Sequence, residues 1–248
     1  IVPRIAEFRP QLEVQATRAL GVPVRVGAVT ATSDGLLPSF ELTNVSLLDG
    51  QNRVALSLPR VVVVVSPRSL WRMGFEQVYV DQPQLDVRRL ADGRVTVAGL
   101  EIMTAGGSES AGLDWFFSQI EFVIHDGTVR WTDEVRGNEP LILQNVNALA
   151  RNLGRQHDLR LDATPPEIWG ERLALQGQVT QALLARRSGQ WQDWEGELYA
   201  LFGRVDLSQL RQYVDLGVDV RQGQGAVRAW LDVSQGRISG GMADLALD

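Results

Sequence analysis

Residues 58–72 read LPRVVVVVSPRSLWR, with five consecutive valines from Val61 to Val65. A strand projects successive side chains to opposite faces, so a strand with one buried face alternates apolar and polar residues. This run does not alternate, and Val is a stiff β-branched residue suited to a pleated surface. The stretch therefore predicts a strand covered on both faces. Each face then needs something to meet it.

The first twenty residues offer one cover. Ile5, Phe8, Leu12, Ala16, Ala19 and Leu20 recur at three- and four-residue steps, which makes one helical stripe. Gly21 and Pro23 close it, and Pro10 either kinks it or starts a second helix. One valine set packs under this helix, against Ile5, Phe8, Leu12 and Ala16, and the other faces outward. The sets are Val61, Val63, Val65 and Val62, Val64; the second is assigned to the open side.

After Gly21 the hydrophobic period becomes two. Strands are expected over 22–32, 37–48, 53–65, 75–81, 84–90 and 94–98, punctuated by SDG, LDGQN, DQP and LADG. Residues 101–112 read as a polar loop and LDWFFSQ as a short helix. Strands resume over 120–125, 128–135, 140–150, 156–163, 171–181, 194–203, 225–234 and 237–247, with a helix over 206–217. Such short spacings leave little room for parallel crossovers and favour an antiparallel meander.

Several strands alternate cleanly. Leu159, Leu161 and Ala163 share one face; so do Leu173, Leu175, Gly177 and Val179, and likewise Val227, Ala229, Leu231 and Val233. Few helices are available to cover these faces, so the sheet either rolls onto itself or lines something else with Val62, Val64, Leu159, Leu161, Leu173, Leu175, Val227 and Leu231.

Composition narrows the function. The 248 residues carry a net charge of −6, and all 24 basic residues are Arg. An acidic chain lacks the basic footprint of a general nucleic-acid binder. There is no Cys, which excludes disulfides, thiolate metal sites and a Cys nucleophile. No segment approaches the ~20 apolar residues of a membrane helix. The chain begins at Ile1 and ends in ADLALD, mid-pattern, so it is expected to be a piece of a longer protein. His125 and His157, the two histidines, each neighbour an Asp in sequence, but adjacent strand residues point apart. Neither is expected to be catalytic, and no spacing supplies metal ligands or a cofactor loop. Trp115, Phe116 and Phe117, and Trp71 in the SLWR corner, either bury under a sheet end or face a membrane. Residues 1–80 hold 8 Arg against 6 acidic residues, a slight positive bias that suits anionic headgroups.

The motifs LGVPVRV, SDGLLPSFELTNVSLLD, a Ser–Leu corner and ADGRVTVAGL resemble the AsmA-like family, closest to its YhdP branch. DWFFSQIEFVIHDGTVRWTDE, with a tight DG turn at 126–127, followed by LILQNVNALARN repeats the unit. The resemblance implies a mostly-β protein with minor α: an elongated, curved antiparallel sheet with an apolar inner groove, capped by an N-terminal helix. It implies residues 1–21 as that helix and 22–248 as the groove domain. It further implies a periplasmic protein of Gram-negative bacteria, anchored in the inner membrane by a helix outside this sequence. Phospholipid acyl chains would slide along the groove between the membranes. The rival reading is an envelope scaffold whose apolar face binds protein. An outer-membrane barrel fits less well, since aromatics are only 7%.

Overall fold

A computed structural model describes residues 9–32, 37–48, 51–67, 74–97, 100–103, 111–183, 185, 187, 189–206 and 223–247. They form helix α1 (Arg9–Leu20), strands β1 (Val24–Arg25), β2 (Ala28–Thr32), β3 (Ser39–Leu48), β4 (Val54–Val64), β5 (Gln77–Asp81), β6 (Gln84–Arg89), β7 (Val95–Val97) and β8 (Leu100–Met103), and helix α2 (Ala111–Ser118). Strands β9 (Glu121–Asp133), β10 (Leu141–Leu153), β11 (Gln156–Thr164), β12 (Leu173–Thr180), β13 (Glu195–Asp206), β14 (Gln224–Ser234) and β15 (Arg237–Leu247) follow. Trp191–Asp193 add one 3-10 turn. Ile5, Phe8 and Trp71 lie outside the described residues, as do 207–222, most of the expected 206–217 helix. The expected 101–112 loop is strand through Met103 and helix from Ala111.

All fifteen strands join one open sheet, ordered β1-β3-β4-β5-β9-β10-β11-β12-β13-β14-β15. β2 extends the β1 edge beside β3, and β6, β7 and β8 branch from β9. The mostly-β fold with an N-terminal helix stands as expected, and the sheet does not close into a barrel. It is mixed, however. β5 and β6 both run parallel to β9, with Val78 beside Phe122 and Val87 beside Trp131. The crossover that permits this holds β7, β8 and α2, which lengthens the connection enough for a parallel return.

Two expected turns are not turns. Pairing with β9 continues on both sides of Gln82–Pro83, between β5 and β6, and β9 itself runs on through Asp126–Gly127. Gln82 (φ 49°) and Asp126 (φ 50°) each take the left-handed conformation, as do Asn44 (φ 51°) in β3 and Asn145 (φ 46°) in β10. Asn and Asp tolerate that region better than most residues. Gly27, between β1 and β2, and Pro59 in β4, which faces Asn44, continue the line. At Gly27 an added Cβ would lie 2.9 Å from Thr43 O.

This crease shifts the phase of the side-chain alternation. In β3 the apolar set is Phe40 and Leu42 before Asn44, then Val45 and Leu47 after it; in β4 it is Leu56 and Leu58, then Val61 and Val63. All eight belong to one cluster with Val24, Val26, Val78 and Val80. One slipped residue per strand thus keeps every apolar side chain on the same side through a bend. It also bears on the valine run: Leu58 and Val61 share a face although they are three positions apart.

Candidate functional site

Val62 and Val64 do not share the face of the other predicted groove residues. Val62 pairs with Glu41 and Tyr79, and Val64 with Ser39 and Gln77, on the polar side of the sheet. Val61 and Val63 take their place. Val61 pairs with Leu42 and Val80, Val63 with Phe40 and Val78, and all are in the apolar cluster.

The register carries that apolar face across the rest of the sheet. One row runs Val80, Ile124, Ala148, Leu161, Leu175, Ala200, Ala229, Ala243. The next runs Val78, Phe122, Ala150, Leu159, Gly177, Leu198, Leu231, Gly241. A third joins Ala163, Leu173, Phe202, Val227 and Leu245. Leu159, Leu161, Leu173, Leu175, Val227 and Leu231 therefore lie on one continuous surface. Alternation alone places Ala163, Gly177 and Ala229 here; the pairing adds Ala148, Ala150, Ala200, Ala243 and Gly241, which no single-strand alternation places. The glycines make room, since a Cβ at Gly177 would lie 2.7 Å from Leu198 Cδ2, and one at Gly241 2.8 Å from Leu231 Cδ2.

Cover over this face is uneven. Ala16 and Leu20 of α1 and Trp115, next to Phe122, pack on the cluster over β1–β9. Phe117 of α2 meets His157 at 5.2 Å and Trp194 at 4.7 Å between ring centroids, while His157 and Trp194 stack at 4.9 Å. Phe116 packs on Phe122 at 4.6 Å. These aromatics close one rim of the face. Trp169, from the β11–β12 connection, buries with Val205 and Val227 at the opposite rim. Between the rims Leu159, Leu161, Leu198 and Leu231 are half-buried, and Leu175 is 39% exposed.

Beneath the α2 rim runs a buried polar chain. Phe75 N–H donates to Gln119 Oε1 at 2.8 Å, and Asn152 Nδ2 donates to Gln119 O at 2.7 Å. That fixes the Asn152 amide, so His157 Nδ1–H donates to Asn152 Oδ1 at 2.7 Å. His157 is fully buried, and burial pulls its pKa below the ordinary value; Asp158 and Gln181 only partly oppose this. His125 is different: it lies exposed on the polar face, 3.0 Å from Asp81 and stacked near Tyr79. Among the described residues no group of three His, Cys, Asp or Glu side chains converges to hold a metal.

A family model described as YhdP protein matches residues 1–248. The chain belongs to the YhdP family. No curated protein and no solved structure matches it. YhdP-family membership suggests a lipid-transport family and marks an envelope protein. Among the described residues no helix is long and apolar enough to cross a membrane. In this YhdP-family chain Trp115, Phe116 and Phe117 pack against the sheet end rather than standing out from it.

Proposed function

We propose that this chain is the membrane-proximal module of a periplasmic lipid-transfer protein, and that its apolar face is the lane for phospholipid acyl chains passing between inner and outer membranes. An anchor helix outside this sequence holds it at the inner membrane. The observation that carries the reading is the continuous apolar surface from β9 to β15, whose centre is left accessible at Leu175. Water-exposed apolar area of this extent costs about 25 cal/mol per Å2, so an occupant of matching chemistry is favoured. Acyl chains suit it because they need no hydrogen bonds from a floor of Leu, Ala and Gly. The rims hold aromatic and polar groups where headgroups and water meet the sheet. The reading requires no chemistry from the protein: His125 is paired with Asp81, and His157 is engaged under α2.

The test is the purified chain itself. Native mass spectrometry and lipid extraction should recover phospholipid in near-stoichiometric amounts. A protein partner retained on the same face, with no lipid, would replace the lane with a scaffold surface.

A further inference from the structure

The outward edge of β1 is already occupied. Toward β3 the pairing is conventional: Leu48 N–H donates to Pro23 O at 2.9 Å, and Gly27 N–H to Thr43 O at 3.1 Å. The N–H groups of Val24 and Val26 point the other way, into the position a further strand would take. Side chains of α1 stand there instead. Val24 N–H donates to Thr17 Oγ1 at 3.0 Å, and Val26 N–H donates to Glu13 Oε1 at 2.8 Å. Arg9 Nη1 donates to Gly27 O at 3.2 Å. Arg9, Glu13 and Thr17 are spaced four apart, so they form one line on the helix. Arg9 Nε also contacts Glu13 Oε1 at 3.4 Å, which holds the carboxylate in line.

We infer that α1 is an edge guard: Arg9, Glu13 and Thr17 occupy the backbone groups through which a strand from a second copy of this chain would add to β1. An unpaired edge is a template for such addition. Apolar packing alone does not account for the helix, because no residue of α1 is buried. Its polar line, not its apolar stripe, makes the specific contacts. The other end of the sheet carries no such device among the described residues. β15 has a single strand neighbour, β14, and its Ile238 and Met242 are each 64% exposed. Within the described residues the β1 edge is thus capped by helix side chains, and the outer edge of β15 serves as the uncapped comparison.

Hydrogen exchange followed by NMR on the 248-residue chain tests this directly. In the unaltered protein, Val24 and Val26 amides should exchange at least about tenfold more slowly than the edge-facing amides of β15. Equal rates overturn the guard. Thr17→Val should accelerate Val24 alone and Glu13→Leu should accelerate Val26 alone, each about tenfold. Glu13→Gln keeps an accepting oxygen and should restore slow exchange at Val26. Combining Thr17→Val with Glu13→Leu should give concentration-dependent dimers in analytical ultracentrifugation. A double variant that keeps slow Val24 and Val26 exchange and stays monomeric also overturns it. Should that variant unfold, the comparison of amides in the unaltered chain still decides.

Discussion

Gln82 and Asp126 sit side by side across the parallel junction, both with left-handed backbones, and Gln82 Nε2 donates to Asp126 Oδ2 at 3.0 Å. Asn145 Nδ2 adds a bond to the other carboxylate oxygen at 2.9 Å, and these two bonds hold the Asp126 pKa below the usual carboxylate range. The crease is thus tied strand to strand by side chains at the positions where the backbone slips. Asp126→Asn and Asp126→Gly should be tolerated, because both residues accept positive φ. Asp126→Val should cost about 1–3 kcal/mol in urea unfolding, because a β-branched residue resists that conformation. Equal stability of the Val and Asn variants would remove the crease from the account.

The valine run gives a sharp contrast between adjacent positions. Val63 is buried in the apolar cluster, while Val62 lies between Glu41 and Tyr79. Val63→Ala should cost about 1.5–3 kcal/mol and Val62→Ala under ~1 kcal/mol, read from thermal or denaturant unfolding. The reverse order would return Val62 to the apolar side.

His157 makes stability depend on pH. Its folded pKa is lowered by burial, so between that value and the unfolded value of about 6.5 the unfolded chain binds the extra proton. Stability from this group is complete above the unfolded value and falls as pH drops below it. His157→Gln should abolish that portion of the slope and cost about 1–3 kcal/mol at neutral pH through the lost Asn152 bond and ring packing. His125→Gln, on the exposed face, should change stability by no more than about 0.5 kcal/mol. A pH profile identical in the His157→Gln variant would contradict the burial reading.

Leu173 and Leu175 share a face but not a degree of cover, being 9% and 39% exposed. Leu173→Glu should unfold the domain or cost more than ~3 kcal/mol, since it buries an unpaired charge. Leu175→Glu should keep the fold at a cost near ~1 kcal/mol while reducing bound phospholipid several-fold. Circular dichroism and lipid extraction on the two variants separate the outcomes.

Much of this was written into short-range pattern. The alternation of Leu159, Leu161 and Leu173, Leu175 read correctly as one apolar surface, because period two survives in strands that carry no slip. The valines misled. Their two sets were assigned to opposite covers, helix and groove, whereas Val61 and Val63 share one face with both Ala16 of α1 and the rows through Leu159 and Leu161. The DG at 126–127 looked like a tight turn because Asp and Gly supply positive φ for turns and bulges alike. The parallel partner of β9 was hidden by distance: Val78 and Phe122 are 44 positions apart. The rim formed by Phe117, His157 and Trp194 comes from three separate segments and has no local signature.

Site-specific photo-crosslinking tests the central claim most directly. A photoreactive residue is placed in turn at Leu161, Leu175, Arg160 and Gln176, which are paired neighbours on opposite faces of β11 and β12. In cells, Leu161 and Leu175 should capture phospholipid, while Arg160 and Gln176 should not. Equal labelling on both faces, or protein adducts in place of lipid at Leu161 and Leu175, would contradict an acyl-chain lane.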